Sequence, residues 1–168
     1  MRKIILNVAT SLDGMIEGLN GEYDWCFTDG DYGMKAFLER TDSIFFGRKS
    51  YELFAASSEE MWGDKKHYVF SNSLKNLTKS AVLVSGEIEP QVKAIKMEAG
   101  KDIWLFGGAL LTASLVQEKL VDEILVAIHP IILGAGKPIL QLKHRIPLQL
   151  LETIHYPSGI VQNRYAVQ

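Results

Sequence analysis

Three short segments of the sequence collect residue types that hold anions: Gly47-Arg48-Lys49-Ser50, Ser71-Asn72-Ser73 and Gly107-Gly108-Ala109-Leu110. A fourth, Ala9-Thr10, offers a small residue and a hydroxyl. A glycine lets the backbone come close to a ligand, and a helix starting there presents free N–H groups and a partial positive charge. A phosphate seated at such a point gains amide hydrogen bonds. Ser50 adds a hydroxyl, and Arg48 a forked, permanently charged partner for a phosphate monoester. Two glycine-led helix starts together suit a pyrophosphate with a separate 2′-phosphate. Singly, a Gly-Arg or a Gly-Gly is an ordinary turn; the signal lies in four such segments at corresponding strand ends.

The elements that must position them follow from periodicity and punctuation. Lys3 to Thr10 is apolar at nearly every position, as in a strand buried on both faces. Ser11-Leu12-Asp13-Gly14 turns the chain, and 17–30 reads as a mobile surface loop. A short helix is expected over Tyr32–Arg40 with Asp31 as N-cap. Strands are expected at Ser43–Phe46, Lys66–Phe70, Ala81–Val84, Asp102–Phe106 and Glu123–Ile128. Helices are expected over Lys49–Ala55, from Pro90 to about Ala99 with Gly100 as C-cap, and along the apolar stripe Leu110, Leu111, Leu115 and Val116. Ile146–Tyr156 and Ile160–Val167 flank Pro157-Ser158-Gly159 as a terminal hairpin. Strands alternating with helices imply one domain with a largely parallel sheet covered on both faces, and ligands in such sheets bind beyond the carboxyl ends of the strands.

Other chemistries lack their residues. There is no Gly-x-Gly-x-x-Gly fingerprint and no phosphate-binding Gly-x-x-x-x-Gly-Lys-Ser/Thr loop; Gly134-Ala135-Gly136-Lys137-Pro138 lacks the first glycine and the hydroxyl and reads as a turn. His67, His129, His144 and His155 show no metal-ligand spacing, so no metal is expected. A net charge of -2 gives no field to draw in nucleic acid or anionic lipid. Cys26 is the one cysteine, which fits a reducing compartment. The apolar start is broken at Asn7, short of the roughly 7–15 residues of a secretory core. No apolar run nears the roughly 18 of a membrane span. A cytoplasmic protein is expected.

The segments Ala9-Thr10-Ser11-Leu12-Asp13-Gly14-Met15-Ile16, Phe46-Gly47-Arg48-Lys49-Ser50-Tyr51-Glu52, Ser71-Asn72-Ser73-Leu74, Phe106-Gly107-Gly108-Ala109-Leu110, Leu120-Val121-Asp122-Glu123 and Pro130-Ile131-Ile132-Leu133-Gly134-Ala135-Gly136 occur in a telling order over nearly the whole chain. In this the sequence resembles the dihydrofolate-reductase-like superfamily, and within it the small proteins grouped with the reductase domain of riboflavin-biosynthesis deaminase–reductases. The resemblance implies a three-layer α/β/α fold and an oxidoreductase that uses NADPH, related to 5-amino-6-(5-phosphoribosylamino)uracil reductases. It implies that Gly47, Arg48, Lys49 and Ser50 meet phosphates, and that Ser71, Asn72 and Ser73 border the 2′-phosphate. Gly107, Gly108, Ala109 and Leu110 would hold the pyrophosphate, with Ala9, Thr10 and Ile16 beside the nicotinamide. Asp13-Gly14 is the turn that shapes this wall.

Folate reductases carry an acid after a loop with a tryptophan, which makes Asp29 and Asp31 the candidate acids and Trp25 a candidate substrate contact; for Asp31 the N-cap is the stronger reading. Tyr23 and Phe27 beside Trp25 form an aromatic wall for a planar acceptor, or simply pack the loop down. Asn7 stands where the riboflavin reductases have Lys, Glu52-Leu53-Phe54 where they have Asp-Asp-Pro, and Phe106 where they have Glu. These departures count against a phosphoribosyl-aminopyrimidine and leave a small heterocyclic or carbonyl substrate. The alternatives are a non-catalytic nucleotide-binding protein on the same fold and a purely structural module. A homodimer is expected from the family, with Val161, Tyr165 and Val167 as an edge to be covered.

Overall fold

The structure is a computed structural model that describes residues 1–57, 62, 64–78 and 81–168. The chain runs β1 (Ile4–Thr10), β2 (Met15–Glu17), α1 (Met34–Arg40), β3 (Thr41–Gly47), α2 (Arg48–Ser57), β4 (Lys66–Phe70), β5 (Ala81–Val84), α3 (Ile88–Met97), β6 (Asp102–Gly107), α4 (Ala109–Gln117), β7 (Glu123–Ile128), β8 (Lys137–Pro138), β9 (Leu148–His155) and β10 (Val161–Val167). Eight strands form one sheet in the order β5-β4-β3-β6-β1-β7-β10-β9. All neighbours from β5 to β7 pair parallel, and the terminal hairpin joins antiparallel through β10 on β7.

The apolar run of β1 follows from its central place, for Ile4, Ile5 and Leu6 meet a helix layer on either side. On one face Leu6, Phe45, Ile103 and Leu105 pack with Val92 and Ile95 of α3 and Leu115 and Val116 of α4. On the other, Ile5, Ile44, Phe46 and Trp104 pack with Phe37 of α1 and Tyr51 and Phe54 of α2. No helix among the described residues is long and apolar enough to cross a membrane.

Local departures from the sequence reading have physical reasons. The first helix starts at Met34, not Tyr32, because Tyr32 and Gly33 are left-handed. Asp31 still serves its entry, accepting the N–H groups of Gly33 (3.1 Å) and Lys35 (2.9 Å). The third helix ends at Met97 with extended Glu98 as its cap, so Gly100 falls in the following turn and is not the C-cap. Gly134–Pro138 is more than a turn: Lys137-Pro138 pairs with Met15–Glu17 as a two-stranded ribbon. A Cβ on Gly136 would meet the carbonyl oxygen of Glu17, so only glycine allows that approach. The half-buried Val161, Tyr165 and Val167 are not the exposed edge; β9 is, with all eight residues exposed.

The amino edge of the sheet is tied by charge. Glu123, 3 % exposed at its side chain, accepts from Lys3 (2.7 Å) and Arg40 (3.1 Å), with Arg164 at 3.7 Å. Burial pushes its carboxyl up, but Lys3 and Arg40 outweigh that and hold it below the ordinary carboxylate range. A depressed carboxyl contributes stability above its unfolded-state value and loses it as pH falls through the folded one. Glu123→Gln is therefore expected to cost about 1–3 kcal/mol at neutral pH and to flatten the acid limb of a melting temperature–pH curve. Parallel curves for the two proteins would show the network to be inert.

Candidate functional site

Because β4, β3, β6 and β1 lie side by side and parallel, the segments that follow them emerge on one edge. The contact is direct between two of them. A Cβ on Gly47 would lie 3.2 Å from the amide nitrogen of Gly108, and one on Gly108 would lie 3.0 Å from Ser50 Oγ. The Gly47–Ser50 and Gly107–Leu110 segments are thus held at backbone contact, each opening a helix whose first amides have no intrahelical acceptor. The peptide between Gly107 and Gly108 is cis.

A small cleft of about 30 Å³ lies beside this junction, its lining including Leu6, Val8, Ile16, Gly107, Gly108, Ala109 and Thr112. Ala9 is half-buried and Thr10 buried at the neighbouring strand end. Leu110 points outward, 90 % exposed at the start of α4. Arg48 is half in solvent and holds Glu52 at 3.2 Å, an exposed pair of small worth that a ligand phosphate can displace. Lys49 is exposed. At the next strand end Ser71 Oγ accepts the N–H groups of Ser73 (3.2 Å) and Leu74 (3.0 Å), and Asn72 Oδ1 accepts that of Gly86 (2.9 Å). These two side chains set the shape of the loop, and Ser73 is its exposed hydroxyl.

The wall carrying Ile16 is built by Asp13. Its carboxylate accepts the hydroxyl of Ser11 (2.6 Å) and the N–H groups of Leu133 (3.1 Å) and Gly134 (2.8 Å), which hold it below the ordinary carboxylate range. The loop that follows is pinned by His129, a residue the sequence reading passed over because it tested histidines only for metal spacing. Its Nε2 accepts the N–H of Phe27 (3.3 Å), so the ring proton sits on Nδ1 and faces the carbonyl of Ala127 (3.2 Å). Its own N–H donates to Thr10 (2.7 Å). Trp25 and Phe27 both meet the ring edge-on, with centroids 5.3 and 5.2 Å away. Trp25 is buried, its indole nitrogen without a partner among the described residues, while Tyr23 stands in solvent.

Asp29 and Asp31 lie further along this loop. Asp29 accepts the hydroxyl of Tyr32 at 2.6 Å and Asp31 the amides at the entry to α1, and both are exposed. Asn7 lies half-buried in β1, on the face opposite Leu6 and Val8. Two further features were missed from sequence. Thr112 completes the cleft from the first turn of α4. A cluster of rings, Phe46, Phe54, Trp62, Trp104 and Phe106, joins four distant segments.

A family model described as the RibD C-terminal domain matches residues 2–162. The chain belongs to the RibD C-terminal domain family. Within this reductase-like family, the protein YyaP of Bacillus subtilis (strain 168) is 41% identical over 177 residues, which is 98% of this chain and 94% of that one. A protein of Shewanella sp. PV-4 assigned to riboflavin biosynthesis superposes with a TM-score of 0.86 at 24% identity, over 100% of this chain and 99% of that one. Dihydrofolate reductase from Enterococcus faecalis, in complex with NADP(H), superposes with a TM-score of 0.74 at 11% identity, over 99% and 96%. The three-layer fold of the RibD C-terminal domain is therefore dihydrofolate-reductase-like.

The His129 clamp makes its own prediction. His129→Leu removes two hydrogen bonds and leaves the Phe27 amide without its acceptor, at an expected cost of about 1–3 kcal/mol, and should speed hydrogen exchange of that amide more than those of β1. An unchanged Phe27 exchange rate would show that the loop is held by other means.

Proposed function

We propose that the chain is an NADPH-dependent oxidoreductase acting on a small heterocyclic or carbonyl substrate. The observation that carries this reading is the backbone contact of Gly47 with Gly108 at the carboxyl edge of the sheet, where two helix starts face the same space. The fit to a dinucleotide is a matter of room and charge: side chains are missing where a pyrophosphate must approach, free amides are present, and Arg48 and Lys49 are the cations at that edge. In this reading the amides of α4 and the Gly107–Leu110 segment grip the pyrophosphate. The Gly47–Ser50 segment, with Ser71, Asn72 and Ser73, meets the 2′-phosphate and its ribose. Ala9, Thr10 and Ile16 flank the nicotinamide. When bound, NADPH supplies the hydride, and the residues align donor and acceptor.

Titration with NADPH and NADH tests this. NADPH is expected to bind the more tightly, and Arg48→Ala to weaken NADPH by about 1–3 kcal/mol while sparing NADH. Equal, millimolar binding of both cofactors would overturn the reading. Stoichiometric NADPH binding with no oxidation across a broad acceptor panel would favour the non-catalytic alternative.

The accompanying proton separates two further possibilities. Asp31 accepts the Gly33 and Lys35 amides with different oxygens, so Asp31→Asn removes an acid and keeps one of the two acceptors at the helix entry. Since the carboxylates of Asp31 and Asp29 already serve the loop, kcat is expected to stay within about twofold, with solvent as the proton source. A fall of about 100-fold in Asp31→Asn or Asp29→Asn would assign the acid to that residue.

We propose likewise that the protein is a cytoplasmic homodimer. Strand β9 leaves Leu148, Leu150, Leu151 and Ile154 exposed along an unpaired edge, a surface that a second copy would cover. Light scattering on Leu150→Lys should report a monomer where the parent is a dimer.

A further inference from the structure

The segment after β2 carries an Asn-Gly pair that the cofactor reading does not use. Gly18 N–H donates to the carbonyl of Glu22 (2.9 Å) and Gly21 N–H to that of Gly18 (3.2 Å), so Asn20 and Gly21 sit in a tight turn. Both are exposed, and Gly21 is left-handed. The backbone N–H of Asn20 donates to Glu22 Oε2 (2.8 Å), while its side-chain amide makes no hydrogen bond among the described residues. Two properties of the pair favour reaction between that amide and the nitrogen of Gly21. Glycine has no Cβ to shield its nitrogen, and nothing lies within 4 Å of where one would stand. The hydrogen bond that holds the Gly21 N–H is also at the long end for its kind. The other four asparagines are better guarded. Asn7 and Asn163 lie in strand ladders and are followed by Val8 and Arg164. Asn72 holds the Gly86 N–H through its Oδ1 (2.9 Å), and Asn76 precedes the branched side chain of Leu77.

We propose that Asn20-Gly21 is a site of spontaneous covalent modification, at which Asn20 ages to aspartyl and isoaspartyl forms. The Gly21 nitrogen, after losing its proton to solvent base, attacks Asn20 Cγ. The new N–Cγ bond closes a five-membered succinimide, while the Cγ–Nδ2 bond breaks and ammonia leaves with a proton from water. Water then opens the ring at either carbonyl. Opening at Cγ gives an ordinary aspartyl residue. Opening at the main-chain carbonyl gives an isoaspartyl residue, whose chain runs through Cβ and Cγ. The sum is one water in and one ammonia out, with no oxidation or reduction. Both products add a negative charge. The isoaspartyl form also adds a carbon to the main chain, inside a turn closed by the bond from Gly18 to Glu22. That turn follows directly on β2, whose Ile16 lines the cleft. Modification at this tip therefore loosens the cleft wall.

The full chain is held in warm, mildly alkaline buffer for several weeks and sampled by isoelectric focusing, peptide mass mapping and labelling with an isoaspartyl methyltransferase. An acidic form is expected, one unit more negative than the starting net charge of -2. Its peptide containing Asn20 should be one dalton heavier and should accept the methyl label. Asn20→Gln should abolish the acidic form, since attack on the longer side chain closes a less favourable six-membered ring. In the isoaspartyl form the Gly18 amide should exchange hydrogen faster than in fresh protein. Fresh Asn20→Asp should carry the charge yet keep the slower Gly18 exchange of the parent, which assigns the loosening to the inserted carbon. An Asn20 that stays intact while the free peptide of residues 17–24 converts would overturn the proposal, as would earlier conversion of Asn72 or Asn76. Unchanged Gly18 exchange in the isoaspartyl form would overturn the effect on the cleft wall.

Discussion

Parallel alignment of neighbouring strands is the constraint on which everything else in this molecule depends. Antiparallel strands scatter their carboxyl ends over two edges, whereas β4, β3, β6 and β1 deliver all of theirs to one. Each following segment then starts in the same strip of space, and two of them start helices with unsatisfied amides. The site is therefore a by-product of chain direction, refined by two glycines that let Gly47 and Gly108 touch. Opposite charges close the other edge, where Glu123 gathers Lys3, Arg40 and Arg164.

The sheet separates two kinds of chemistry. On the face of α3 and α4, the cleft between Val8 and Gly108 is lined mainly by apolar side chains and glycine backbone. On the face of α1 and α2, stacked rings reach the surface at Phe106. Phe106 belongs to both, for it lines the cleft and its ring joins the aromatic cluster.

Most of the sheet was legible in the sequence because its strands are short apolar runs that end in glycine or serine, and both signals are local. Phe46-Gly47 and Phe106-Gly107 needed no tertiary knowledge. The ribbon of Met15–Glu17 with Lys137-Pro138 was not legible, since strands of three and two residues carry no periodicity and join segments some 120 residues apart. The role of His129 was hidden for a similar reason: its partners, Phe27 and Thr10, lie far off in sequence. The start of α1 was missed by two residues because a left-handed Tyr32 has no composition signal. Tyr23, Trp25 and Phe27 read equally as a wall or as loop packing, and Trp25 and Phe27 pack on His129, while the larger ring cluster comes from Phe46, Phe54, Trp62, Trp104 and Phe106, which only folding assembles.

The position of β1 has a consequence for how the molecule is made. Strand β1 sits in the sheet between β6 and β7, and Ile4 waits for Ile103 to be synthesised before it has its β6 neighbour. Until then three consecutive large aliphatic residues stay bare on a growing polypeptide. At about 5–20 residues per second of translation, that interval lasts many seconds, and such non-local pairing folds slowly once it can begin. A segment so placed stays prone to wrong contacts until the sixth and seventh strands have emerged to cover it.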